Sequence, residues 1–273
     1  MKKNKINIDM DTALEKVLKI PGVKIGRESF LTNTFSELVT PTILEEILKE
    51  GPYIAGVKKE VLDNIAKSRI KKNTLSSTSA SFVAGLPAGI AMTATIPADI
   101  MQFLGVSLRL AQELAYLYGH KDLWLEEHID TEDARNKLLL FLGVMFGVGG
   151  TTSAVKFLSS GFSKAILKKL PQQALTKTLY YPIIKKVAGY VGVKLTKDSF
   201  AKGVSKIVPV LGGVVSGSIT YVTMGPMGKK LADALSDSLT LNKEDIMDEY
   251  KVMKDNFPDI IDVDFEEIIL EED

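Results

Sequence analysis

Charged side chains vanish from this chain in three places: Asn73 to Leu108, where only Asp99 interrupts, Leu138 to Val155, and Ile207 to Gly228. The latter two run 18 and 22 residues. At roughly 1.5 Å per residue, a helix of such length covers about 27–33 Å, close to the hydrocarbon thickness of a bilayer. Each stretch is therefore long enough to span. Elsewhere the apolar positions recur with helical spacing. Asp9 to Ile20 reads as an amphipathic helix stopped by Pro21 and Gly22, and Thr40 followed by Pro41 opens another that runs to Glu50. Val57, Val61 and Ile65 mark one face of a third, and Pro97 to Tyr118 can run as one helix stopped at Gly119. Sustained apolar–polar alternation occurs nowhere, so the expected fold class is all-α. It is a helical bundle with glycine-rich apolar helices, membrane-spanning or re-entrant if the three stretches are spans.

The chain divides accordingly. Residues 1–72 form an N-terminal amphipathic helical region. Residues 73–240 form a core with apolar segments at about 82–108, 138–155 and 207–228 and a lysine-rich region at 156–206, and residues 241–273 form an acidic tail.

Each apolar stretch carries two glycines four apart: Gly85 and Gly89, Gly143 and Gly147, Gly213 and Gly217. A glycine inside a helix costs about 1 kcal/mol relative to alanine, which close packing must offset. Small residues at that spacing make a flat stripe where helix backbones approach, so these six are the expected helix-packing positions. The approaching helix belongs either to the same chain or to a second copy, and a homo-oligomer is the expected assembly. A soluble bundle with a glycine-rich core is the alternative.

Charge patterning sharpens this picture. The net charge is zero, yet residues 156–206 hold eleven lysines against Asp198 alone, while residues 241–273 hold three lysines against thirteen acids. Lysine without arginine suits diffuse attraction to an anionic surface better than bidentate recognition. Lys164, Lys168, Lys169, Lys185, Lys186 and Lys194 lie among apolar and tyrosine residues, as in interfacial helices, and are the expected anionic-lipid contacts. Sequence-specific nucleic-acid binding is not expected. Two readings of the tail exclude each other. Three membrane crossings place the lysine block in the cytoplasm and the tail outside. Charge matching, +10 against −10, instead docks the tail on the lysine block.

Composition excludes several chemistries. Among 273 residues there is no cysteine, which removes disulfides and thiolate-held metals. The start has basic residues but no apolar run before Pro21, so no signal peptide is expected. His120 and His128 do not have the spacing of a HExxH site, and no metal is expected. Gly147 to Val155 lacks the Gly-Lys-Ser/Thr of a phosphate loop, and Ser216 is not in a Gly-x-Ser-x-Gly elbow. Neither a cofactor nor a catalytic residue is expected.

The run GLPAGIAMTATIPADIMQFLGVSLRLAQELAYLYGHKD, Gly85 to Asp122, resembles the central signature of the EcsC family of bacterial proteins. The run IVPVLGGVVSGSITYVTMGPMGKKLADAL, Ile207 to Leu235, is similar to that family's C-terminal apolar segment and the helix after it. The resemblance implies a helical protein at the bacterial cytoplasmic membrane, integral or peripheral from the cytoplasmic side, with no established reaction.

Asp99 is the one carboxylate inside the apolar stretches. In the first turn of a helix it meets free N–H groups and the positive helix end. At membrane depth it would instead line a polar path together with Arg109 and Glu113. Three functions are therefore expected in order: an oligomeric channel- or pore-forming effector in stress or phage defence; a peripheral accessory protein binding anionic lipid and a protein partner or regulatory polyanion; and, last, a soluble helical enzyme.

Overall fold

A computed structural model describes residues 9–76, 98–124, 131–160, 180–195 and 216–260. These residues form ten helices and no strand, so the chain is all-α there. The helices are α1 (Met10–Leu18), α2 (Arg27–Phe35), α3 (Pro41–Glu50), α4 (Lys59–Ser76) and α5 (Ala98–Leu117). They continue with α6 (Thr131–Phe146), α7 (Thr151–Ser159), α8 (Tyr181–Lys194), α9 (Ser216–Asp237) and α10 (Lys243–Asn256).

Local chemistry sets several of these ends. The Asp9 carboxylate accepts the Thr12 N–H at the start of α1, and Thr40 Oγ1 accepts the Ile43 N–H above Pro41 in α3. Asn242 and Asp245 exchange bonds of 2.9 and 3.1 Å in a capping box that opens α10. Gly119, at φ +89°, ends α5 by letting the His120 N–H reach back to the Ala115 carbonyl at 2.9 Å.

α5 is the hub. Between Ile100 and Tyr118 only Gln102 and Arg109 reach the surface in part, because α1, α2, α4, α6 and α9 pack around it. A helix buried on every side reads in sequence as a long apolar run whether the surroundings are protein or lipid. That ambiguity is what made Pro97 to Leu108 resemble part of a span.

The second apolar stretch departs from expectation. Leu138 to Val155 is not one helix: α6 stops at Phe146, and the chain turns through Gly147 (φ +73°) and Gly150 (φ +84°) before α7 begins. The Val148 N–H returns to the Gly143 carbonyl at 2.9 Å, closing the turn. Positive φ is cheap only for glycine, so these residues break the run. α7 then folds back on α6. Among the described residues no helix is long and apolar enough to cross a membrane.

Side-chain pairs fix the directions of the central helices. Asp63 meets Ser236 and Ile70 meets Gly228, so α4 and α9 are antiparallel. Ser107 meets Met224 and Leu110 meets Gly228, so α5 and α9 are parallel. Phe103 stacks edge-on with Phe146, and His120, just past α5, with Phe141, so α6 opposes α5. Val187 meets Gly143, and Tyr180 lies within range of the Asp133 charge, so α8 follows α6. The last residue of α4, the first residues of α5 and α9, and the end of α8 therefore share one end of the bundle.

Candidate functional site

That shared end is where the chain leaves for residues 77–97 and 196–215. The first of these sequences carries no charge. The second holds Lys197, Asp198, Lys202 and Lys206 before the charge-free run from Ile207. Both lie outside the described residues, and so do Gly85, Gly89, Gly213, Lys164, Lys168, Lys169 and His128.

α8 runs toward the same end with one face outward. Its inner face is Ile183, Ile184, Val187 and Val191, all buried. Tyr181, Lys185, Lys186, Gly189, Tyr190 and Val193 are exposed, and at roughly 100° per residue they occupy one half of the helix. Lys194 closes the helix, and its side chain lies outside the described residues. Lys186 is engaged: its ammonium donates to the Asn256 carbonyl at 3.0 Å and sits 4.7 Å from the centre of the Phe257 ring.

The three residues expected to line a polar path fall on one helix, but two of them are already paired. Arg109 Nε lies 3.3 Å from Glu113 Oε1, and Arg109 Nη1 donates to the Gly22 carbonyl at 2.6 Å. Glu113 is 4% exposed and accepts the Asn73 amide at 2.8 Å. These bonds tie α5 to α4 and to the loop after α1. Asp99 is the second residue of α5, the position where a carboxylate meets the free N–H groups of a first turn. Its side chain lies outside the described residues.

Of the three glycine pairs, Gly143 and Gly147 lie wholly within the described residues. Gly143 lies within α6, where a Cβ would stand 2.8 Å from Val187 and 2.9 Å from Thr151, so its close neighbours are α8 and α7 of the same chain. Gly147 lies beyond the helix end, and the pair forms no stripe. Gly217 is in the first turn of α9.

The acidic tail touches the lysine block. Lys156 donates to Asp237 at 3.0 Å and Glu249 at 3.1 Å, joining α7, α9 and α10. Burial pulls its ammonium down, but the bonds and charges of both acids outweigh this and hold it above the ordinary lysine value. Gly150 lets Asn256 and Phe257 pack directly over the turn. The three-crossing topology, with these blocks on opposite sides of a membrane, does not fit this contact.

Two polar joints had no sequence signal beyond residue type. Asp63 accepts Tyr118 Oη at 2.8 Å and Ser236 Oγ at 2.6 Å, with Lys59 at 3.5 Å. Burial raises its pKa, but the two hydroxyl bonds and Lys59 more than offset this and hold it below the usual carboxylate value. It lines a groove of about 800 Å³ between α4 and α9, together with Lys67, Lys71, Lys229 and Asp233. The second joint is Gln112, which accepts the Ile25 N–H at 3.0 Å and Trp124 Nε1 at 2.8 Å and donates to the Val23 carbonyl. It fastens the loop between α1 and α2 to the hub.

His120 lies 3.0 Å from Ser159 Oγ with its ring against Phe141. Among the described residues no cluster of His, Asp and Glu has the geometry to hold a metal ion. The described residues define an all-helical bundle, with a charge-free sequence and a basic-then-apolar sequence leaving from one end and a basic, tyrosine-bearing helix beside it. No family model, curated protein or solved structure matches the chain.

Proposed function

We propose that the protein is a membrane-docked accessory protein of the EcsC type, bound to anionic lipid at one end of its bundle. The observation that carries this reading is the convergence of α4, α5, α8 and α9 on the end where residues 77–97 and 196–215 leave. Apolar sequence at that end supplies hydrophobic contact. Lys185 and the basic positions of 196–206 supply attraction, at about 1 kcal/mol per lysine near an anionic surface. Tyr181 and Tyr190, exposed beside Lys185, suit the headgroup level, where amphipathic rings collect. The cytoplasmic face of a bacterial membrane, rich in anionic lipid, is the proposed location.

The channel reading draws less support. Arg109 and Glu113 are occupied with each other and with Gly22 and Asn73, and the central apolar stretch folds back on itself.

Fractionation separates the two. A docked protein is released from membranes by high salt or carbonate, because exposed charge attraction is screened within about 3 Å at 1 M ionic strength. Sedimentation with vesicles containing phosphatidylglycerol should exceed that with phosphatidylcholine alone. Lys185→Glu should weaken the former about 30-fold, from roughly 2 kcal/mol for one attraction lost and one repulsion gained. Resistance to both salt and carbonate would overturn docking in favour of integral insertion.

A further inference from the structure

The exposed face of α8 lies beside the point where the last thirteen residues begin. α10 ends against the lysine block, with Lys186 on the Asn256 carbonyl and over the Phe257 ring. Phe257 and Ile260 are both buried, and Lys254 Nζ holds the Ile260 carbonyl. Residue 260 is therefore anchored near Lys186, one position along α8 from the exposed Lys185. The sequence from Ile261 onward holds seven acids, no base and six large apolar residues: Ile261, Val263, Phe265, Ile268, Ile269 and Leu270. A solvated acidic run would not need those apolar positions.

The α8 face offers their complement. It carries Lys185 and Lys186 between Tyr181 and Tyr190, and Gly189 adds a flat spot with no heavy atom within 4 Å of where its Cβ would be. Reach is not limiting. Thirteen extended residues cover up to about 43–47 Å, while the fourteen residues of α8 span only about 21 Å. Tethering also raises the effective concentration of the segment to the millimolar range, enough for a modest ionic and apolar contact to form.

We propose that residues 261–273 lie on the exposed face of α8 in the same chain and compete there with anionic lipid. The competition rests on the docking reading above; the contact itself does not. Both occupants need the same features, negative charge for Lys185 and apolar groups for Tyr181 and Tyr190. Arrival at a surface of high anionic density displaces the tail, and charge on the tail sets the lipid density at which this happens.

The test uses the full chain and a variant with Asp262→Asn, Asp264→Asn, Glu266→Gln and Glu267→Gln. Zero-length carbodiimide coupling without lipid should join Lys185 to a tail carboxylate, read by mass spectrometry, and phosphatidylglycerol vesicles should suppress it. The variant should bind those vesicles at least tenfold more tightly than the parent. Absence of the Lys185–tail product, or its formation only between isotopically distinct copies, overturns the intrachain contact. Equal vesicle affinity of parent and variant overturns the competition. If neither protein binds vesicles while the cross-link forms, the contact stands, and both the competition and the docking reading fail.

Discussion

Gly150→Ala perturbs the turn that divides the central apolar stretch. The backbone there has φ +84°, and a Cβ would fall on Asn256 Cβ and 2.7 Å from Phe257 Cε2. The first neighbour is the root of its side chain, which cannot swing aside without moving the end of α10. Left-handed backbone costs alanine about 1–2 kcal/mol, and forced overpacking adds about 1–3 kcal/mol, so the expected loss is about 2–5 kcal/mol. For a chain of this size that corresponds to a fall of roughly 4–20 °C in Tm. Gly189→Ala is the matched control. It lies inside α8 with no heavy atom within 4 Å, so alanine should stabilise by about 0.5–1 kcal/mol through helix propensity. Thermal and urea unfolding of both variants give the comparison, and hydrogen exchange localises it. Protection should fall first in α10. An unchanged Tm for Gly150→Ala, or loss of protection spread evenly over α4 and α5, would refute the packing argument.

Two further outcomes follow from the charged contacts of Lys156 and Asp63. Lys156→Met leaves Asp237 and Glu249 facing each other without their cation, and urea unfolding should show a loss of about 1–3 kcal/mol. The figure is below that of a fully buried pair because Asp237 is 48% exposed. Asp63 has a folded-state pKa below its unfolded value, so its contribution is complete above the ordinary carboxylate value of about 3.9. That contribution is lost as pH falls through the lower folded value. The stability difference between the parent and Asp63→Asn, read from urea midpoints, should therefore be constant near neutrality and shrink below about pH 4. A difference that grows on acidification would contradict the bonds from Tyr118 and Ser236.

Much of the helical architecture was legible in residue order because helix signals are local. Thr40 with Pro41, Gly119 after Tyr118, and the buried spacing of Met10, Ala13, Leu14 and Val17 all act within one or two turns. The central stretch misled because a window of hydropathy does not weigh backbone conformation. Gly147, Gly149 and Gly150 together carried the turn signal, yet spacing alone suggested a packing stripe. The partners of Glu113 and Asp63 were hidden for another reason. Asn73 is 40 positions from Glu113 and Ser236 is 173 from Asp63, and no local pattern links residues so far apart.

Residue order by itself determined the all-α class, the helix ends set by caps and glycines, and the opposed charge blocks at 156–206 and 241–273. Each depends on propensity, capping or composition, which act through neighbours in the chain. Only the tertiary structure decided that α5 is buried by five other helices and that Arg109 and Glu113 are tied to Gly22 and Asn73. It also decided that Lys156 meets Glu249 on one side of one bundle. Apolar periodicity states how much of a helix avoids water but not what replaces the water. Here that is fixed by the directions in which α4, α5, α6, α8 and α9 pack.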